Sequence, residues 1–365
     1  MAGLYLHIPF CRSRCIYCGF YSTTALEARE RYIAALCREM ELRGGCSERI
    51  DTVYLGGGTP SQLTTDQLSR LFSSIYNIYK VADDAEVTLE VNPDDVSEEF
   101  AKDITQLPVN RVSMGAQTFD DQRLQFLHRR HTASQVPAAI ERLRNVGIRN
   151  ISVDLMYGFP QETLDDWQHD ISCALGLGVE HLSAYCLMYE EGTPLYRMNV
   201  SPADEELERA MYYTLIDRLA AGGFEHYEIS NFARSGYRSR HNRGYWTDVP
   251  YIGLGAAAHS YNGRTRQWNV SDIEQYMAGM ENGTPVTEQE TIDDKTRYND
   301  RMMLSLRTRE GLNLDTLSET DKNYLIPIAQ KYISSGQLII ADHHLQLTRE
   351  GLFVSDMVIS DLMRL

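Results

Sequence analysis

No stretch of this 365-residue chain approaches the roughly 20 apolar residues needed to span a bilayer. The opening residues, Met1 to Tyr5, lack the basic flank and long apolar core of a secretory leader, so the chain is expected in the cytoplasm. No long basic run offsets the net charge of −16, which argues against duplex nucleic acid as a partner. Low-complexity segments are missing too. Cysteine is sparse, with seven residues, an odd number, and three of them crowd into positions 11–18. That clustering speaks against a disulfide framework and for metal chemistry.

What is present is a repeating unit: a short apolar strand-like run, a polar or glycine-rich turn, then an amphipathic segment. The runs are Leu4–Ile8, Thr52–Leu55, Val87–Val91, Arg111–Met114, Ile151–Met156 and His181–Met188. Helical patterns at Glu30–Leu42, Thr65–Tyr76, Ser134–Val146 and Leu164–Leu177 follow most of them. In the last, Leu164, Trp167, Ile171, Ala174 and Leu175 share one face. Alternating strands and helices imply an α/β fold with a parallel sheet. Six units are too few for a closed eight-stranded barrel and predict a partial (β/α)6 barrel over residues 1–222.

A helix over 204–221 should end at a Gly222-Gly223 cap. Residues 223–290 lose periodicity, are rich in aromatics and glycine, and are expected to connect and close the site. Residues 291–365 predict a small α+β, winged-helix-like domain. Its hairpin would pair 337–340 with 345–348 through Asp342-His343-His344.

Polar residues recur at the carboxyl ends of the strand runs, where parallel barrels collect their chemistry. The first run leads through His7 into Cys11-Arg-Ser-Arg-Cys15-Ile-Tyr-Cys18, and the second ends in Gly56-Gly57-Gly58-Thr59-Pro60. The third carries Glu90 and Asn92, the fourth leads to Gln117, and the fifth carries Asp154. Three thiolates in eight residues suit three irons of a [4Fe–4S] cubane. The fourth iron is then open to chelate the amino and carboxylate groups of S-adenosylmethionine and to pass an electron to its sulfonium. The competing reading is a zinc site completed by His7 or a distant ligand.

The glycine run removes side chains so that backbone can approach a ligand, here the methionyl ammonium. Glu90 and Asp154 are acceptors for ammonium or ribose hydroxyls, and Arg129 is a donor to carboxylate. Each of these alone is more often a surface charge.

With these residues in place, the chain resembles the radical SAM enzymes of the anaerobic coproporphyrinogen oxidase group. The resemblance runs in order through Tyr5-Leu-His-Ile-Pro-Phe-Cys11, CxxxCxYC, Gly56-Gly-Gly-Thr-Pro-Ser61, Glu90-Val-Asn-Pro93, Arg111-Val-Ser-Met-Gly-Ala-Gln117 and Asp154-Leu-Met-Tyr-Gly-Phe-Pro160. It implies an oxygen-sensitive cluster on Cys11, Cys15 and Cys18. It also implies S-adenosylmethionine contacts from Tyr5, Gly57, Gly58, Thr59, Glu90, Gln117, Arg129 and Asp154, and an electron donor such as flavodoxin or ferredoxin.

Within the group, the dehydrogenase uses a 5′-deoxyadenosyl radical to abstract hydrogen from a propionate before decarboxylation. It carries a fourth cysteine two residues past the third and an N-terminal extension. Here Phe20 stands at that position and ten residues precede Cys11. Both departures point to the heme-chaperone branch, which this chain also resembles at Tyr227-Glu-Ile-Ser-Asn-Phe232 and His241-Asn-Arg-Gly-Tyr-Trp246. Gly19 departs from that branch, which usually has Asp.

The branch implies heme as cargo and a hemoprotein acceptor, possibly respiratory and membrane-associated. Coproporphyrinogen III dehydrogenase is the alternative, and a plain iron–sulfur carrier would not need the strand-end set. His241, among Tyr245, Trp246 and Tyr251, suits either a heme ligand or a loop histidine packing a turn. His128, His131 and His259 are weaker candidates, and His343 and His344 read as exposed turn residues. Cys37, Cys46, Cys173 and Cys186 read as structural thiols.

Overall fold

A computed structural model describes residues 2–44 and 48–364, so Cys46 lies outside the described residues. Six strands run parallel in chain order: β1 (Ala2–Ile8), β2 (Arg49–Gly57), β3 (Lys80–Val91), β4 (Arg111–Gln117), β5 (Asn150–Tyr157) and β6 (His181–Cys186). The chain is an α/β protein built on a partial (β/α)6 barrel, as the repeat predicts. Strand β3 begins at Lys80, before the apolar run Val87–Val91, because its first half carries exposed Asp83 and Asp84. Strand β6 stops at Cys186, short of the expected Met188.

The outward face of each strand is apolar and packs under the helices. In the helix Leu164–Gly176, Trp167, Ile171 and Ala174 are fully buried, with Leu164 and Leu175 beside them. The helix Glu205–Ala221 ends where expected, and Gly223 takes the left-handed conformation at φ 82° that its termination requires.

The segment after that helix does more than connect. Strands β7 (Glu225–Glu228) and β8 (Asn231–Ala233) add antiparallel to the β6 edge. Strand β9 (Tyr251–Leu254) crosses to the other side and pairs parallel with β1, followed by β10 (His259–Tyr261), β11 (Thr265–Asn269) and β12 (Thr287–Thr291). The result is a twelve-stranded sheet among the described residues, extended at both edges by one stretch of chain.

Glu39, on the helix Arg29–Arg43, fastens that stretch to the barrel. Its fully buried carboxylate accepts from the Gly255 amide (2.8 Å), Asn269 Nδ2 (2.8 Å), the Tyr276 hydroxyl (2.7 Å) and Arg43 (3.2 Å).

Residues beyond 291 build a separate core around Tyr298, Met302, Leu325, Tyr332, Leu345 and Val358. Its antiparallel sheet contains β13 (Leu312–Asn313), β14 (Leu338–Ala341) and β15 (His344–Leu347). Asp342 and His343, both at positive φ, make the turn of the expected hairpin. Among the described residues, no helix is long and apolar enough to cross a membrane.

Glu39→Ala strands three buried donors at once and should destabilise the protein by about 3 kcal/mol or more. The urea midpoint measures this, and Glu39→Gln, which keeps part of the acceptor capacity, should lose less.

Candidate functional site at the carboxyl ends of the strands

The cysteine loop is pinned at both its base and its middle. At the base, Cys11 N–H donates to Thr23 O (2.9 Å) and Thr23 N–H to Pro9 O (2.7 Å). In the middle, Ile16 is buried against Leu127, Phe159 and Leu195, and its amide and carbonyl bond to Leu127 O and Leu195 N. Burying Ile16 leaves Cys11, Cys15 and Cys18, each half-buried, facing one cavity of about 570 Å³.

Of the sequence-predicted residues, Gly57, Gly58, Thr59, Glu90, Gln117, Arg129 and Asp154 line the same cavity with the three cysteines. Tyr5 and His241 do not. Strand alternation explains the convergence. On β3 Glu90 faces inward with Asn92 just past the strand end, on β4 Ser113, Gly115 and Gln117, on β5 Asp154 and Met156, on β6 Ser183 and Tyr185.

The glycine run has a packing role beside the expected one. A Cβ on Gly56 would lie 2.8 Å from Glu90 Oε1, on Gly57 2.4 Å from the His7 ring, and on Gly58 2.7 Å from the Pro9 backbone. On the Cβ side the protein itself fills the space, which seats the end of β2 against the cysteine loop and Glu90. Gly57, at φ 106°, also needs glycine's conformational freedom.

Glu90 accepts from the Tyr54 hydroxyl (2.7 Å) and the Gly57 amide (3.1 Å). Burial pushes its carboxyl up to about 7, with Asp154 adding to the rise and the Tyr54 bond opposing it. Burial also raises Asp154, against hydrogen bonding from Ser183. Arg129 donates to Asn92 Oδ1 (2.7 Å) and Gly115 O (2.5 Å) and points Nη1 at Cys15 Sγ (3.6 Å), while its buried Nε makes no hydrogen bond. Gln117 sits at φ 67°, an uncommon conformation for a residue with a side chain.

The donor set fits an iron–sulfur cluster better than zinc. His7, the expected fourth zinc ligand, donates through Nε2 to Tyr21 O (2.8 Å), which leaves Nδ1 to accept from the Tyr5 hydroxyl (3.0 Å). Both ring nitrogens are therefore engaged. Among the described residues, no three Cys, His, Asp or Glu side chains close on a single ion. A cubane, which gives each thiolate its own iron, needs no such convergence. Burial raises the Cys11 thiol and pushes Cys18 up to about 11, and a metal bound there would have to displace those protons.

Tyr5 stands behind the cavity wall, its ring 6.2 Å from that of Tyr54. His241 lies lower in the barrel, stacked on Tyr54 at 5.0 Å. Its Nδ1 bonds Thr52 Oγ1 (2.8 Å) and its Nε2 the Tyr245 hydroxyl (2.9 Å), so axial ligation would require breaking one of these bonds. Burial pushes the imidazole down to about 3, so it is neutral. His241 and Tyr245 border a second cavity of about 320 Å³.

His128 lines the cysteine cavity, and His131 is buried against Ala116 O. His259 stacks on Trp268, and His343 and His344 lie at the hairpin turn. Cys37 meets Ser74 and Cys173 meets His169, but Cys186 faces the site cavity, where burial raises its thiol to about 12. Its place at the end of β6 is the signal that could have found it. A Cβ on Gly19 would lie 2.1 Å from Glu190 Oε2, so the Glu190 carboxylate occupies the place a side chain there would take.

Residues 5–174 match the Radical SAM superfamily and residues 292–354 the HemN C-terminal domain. Coproporphyrinogen III oxidase (HemN) from Escherichia coli shares the fold at a TM-score of 0.87, with 20% identity, over 99% of this chain and 90% of that one. Heme chaperone HemW of Bacillus subtilis is 37% identical, over 87% of this chain and 86% of its own length. Heme chaperone HemW of Mycobacterium tuberculosis is 35% identical, over 99% and 94%. The chain belongs to the radical SAM superfamily and, within it, to the HemW family.

With its carboxyl raised to about 7, Glu90 loses charge as pH falls from 8 to 6, so a cationic ligand should bind more weakly over that range. Equilibrium binding of S-adenosylmethionine to the reconstituted protein measures this. Glu90→Gln should flatten the profile, and Glu90→Ala and Asp154→Ala should weaken binding without changing iron content.

Proposed function

We propose that this protein binds a [4Fe–4S] cluster through Cys11, Cys15 and Cys18, takes S-adenosylmethionine beside it, and carries heme for delivery to hemoprotein acceptors in the cytoplasm or at the membrane. The observation that carries the reading is the shared cavity, in which three thiols, two raised carboxylates and a buried guanidinium meet below an apolar mouth. A bound cluster supplies one electron for cleavage of the sulfonium, drawn from a donor such as flavodoxin or ferredoxin.

The chain's own groups divide the ligand between them. The carboxylates of Glu90 and Asp154 accept from ammonium and ribose hydroxyls, and Gly57, Gly58 and Thr59 present backbone along its methionyl end. Arg129 donates to its carboxylate, and Gln117 closes the wall at the end of β4. Tyr5 acts from behind, through His7 and Tyr54.

Phe20, Tyr185 and Met188 line the cavity's outer part and are 70%, 43% and 65% exposed. With Arg12 and Arg14 beside them, this mouth suits a flat apolar macrocycle bearing carboxylates. Phe20 also favours the carrier reading over coproporphyrinogen III dehydrogenase, because it supplies no fourth thiol.

Anaerobic reconstitution should yield about four irons per chain, lost in Cys15→Ala and kept in Cys173→Ala. Heme should bind at about one per chain with a Soret shift, as a single site requires. Coproporphyrinogen III should not be decarboxylated with S-adenosylmethionine and reductant. Robust turnover without heme uptake would overturn the carrier reading in favour of the dehydrogenase. His241→Ala distinguishes two places for heme: an unchanged Soret band is expected for the mouth, and a lost one would put heme in the lower cavity beside Tyr245.

A further inference from the structure

Arg111 opens β4 and is 1% exposed. Ser113, Gly115 and Gln117 on the same strand face line the cysteine cavity, so Arg111 points into the barrel beneath them. Its Nε and Nη1 make no hydrogen bond to the chain. The register sets it opposite Thr88 on β3 and Asn150 on β5, whose Oγ1 and Oδ1 are likewise buried without a bond. Glu90 stands one pleat repeat above Thr88, and Asp154 two above Asn150.

A buried guanidinium and buried carboxylates are each disfavoured alone, and on the same interior face of neighbouring strands they offset part of that penalty. We propose that Arg111 is a positioning residue for the cationic ligand of this site, its guanidinium holding Glu90 and Asp154 in their charged, ligand-accepting form from below. The inference rests on the S-adenosylmethionine reading of the cavity.

Electrostatics agree with the placement, since Arg111 opposes the burial-driven rise of both carboxyls. Its charge also reaches Tyr54 on β2, His181 on β6, Tyr227 on β7 and His241, and Arg129 acts on Asp154 from above. Glu86, the remaining interior carboxylate of β3, is taken by the backbone amides of Arg240 and His241 at 3.0 Å.

The test is equilibrium dialysis of labelled S-adenosylmethionine against reconstituted wild type, Arg111→Gln and Arg111→Lys from pH 6 to 9. If removing the charge raises Glu90 by about one unit, Arg111→Gln binds about fivefold more weakly at pH 7 and recovers toward wild type by pH 9. Arg111→Lys keeps the wild-type profile. Wild-type affinity in Arg111→Gln, or a loss equal at every pH, overturns the proposal.

Should Arg111→Gln fail to fold, the double variant Arg111→Gln/Glu90→Gln is expected to recover cooperative melting. Failure of both would mean that charge matching is not why Arg111 is there. If wild type takes up no S-adenosylmethionine, the reading of the cavity fails, and the melting comparison alone decides the charge pairing.

Discussion

The carboxylates inside this barrel have to be answered by donors that the strands themselves carry, because burial removes them from water. Glu90 takes a phenol and a backbone amide from β2, and Asp154 draws on the serines of β4 and β6. Glu86 takes two amides at the start of the helix Arg240–Trp246, which plugs the floor. Each answer fixes geometry elsewhere. Glycine at 56 lets Glu90 lie against β2, glycine at 57 and 58 draws the cysteine loop onto the same strand end, and Tyr54 then has one place for its hydroxyl. The cofactor wall and the packing of the barrel are one set of contacts.

The parallel strands were legible in the sequence because each has an apolar outward face under a helix and ends in an unusual polar residue. The cavity residues were legible for the same reason, since a two-residue period fixes which side chains share an interior. What the chain does after residue 223 was not. Strands β7 to β12 are only three to five residues long, too short for apolar alternation to mark them, and all five residues of β12 are exposed. His241 shows another limit: an aromatic neighbourhood is visible in sequence, but whether both imidazole nitrogens are engaged depends on Thr52, nearly two hundred residues away. Cys186 is marked in sequence only by its place at the end of β6, and no neighbouring motif separates a cavity thiol from a packing one there.

The fold shared with coproporphyrinogen III oxidase at 20% identity is carried by the barrel and the C-terminal unit alike. Around the cavity mouth stand Phe20, Tyr185 and Met188. These are exposed apolar groups on an otherwise strongly acidic protein. They set what can approach the cavity, while the wall beneath sets what it can hold.

Strand β9 has a bearing on how the chain comes off the ribosome. Strand β1, which leads into the cysteine loop, is made well before its outer neighbour β9, which lies some 250 residues later. Until β9 and the residues bound by Glu39 arrive, β1 is an open edge, and the loop's three thiols hang from an unfinished sheet. Pairing at such sequence separation is slow. The strand that carries the cysteine loop therefore gains its outer neighbour only after most of the barrel has been translated.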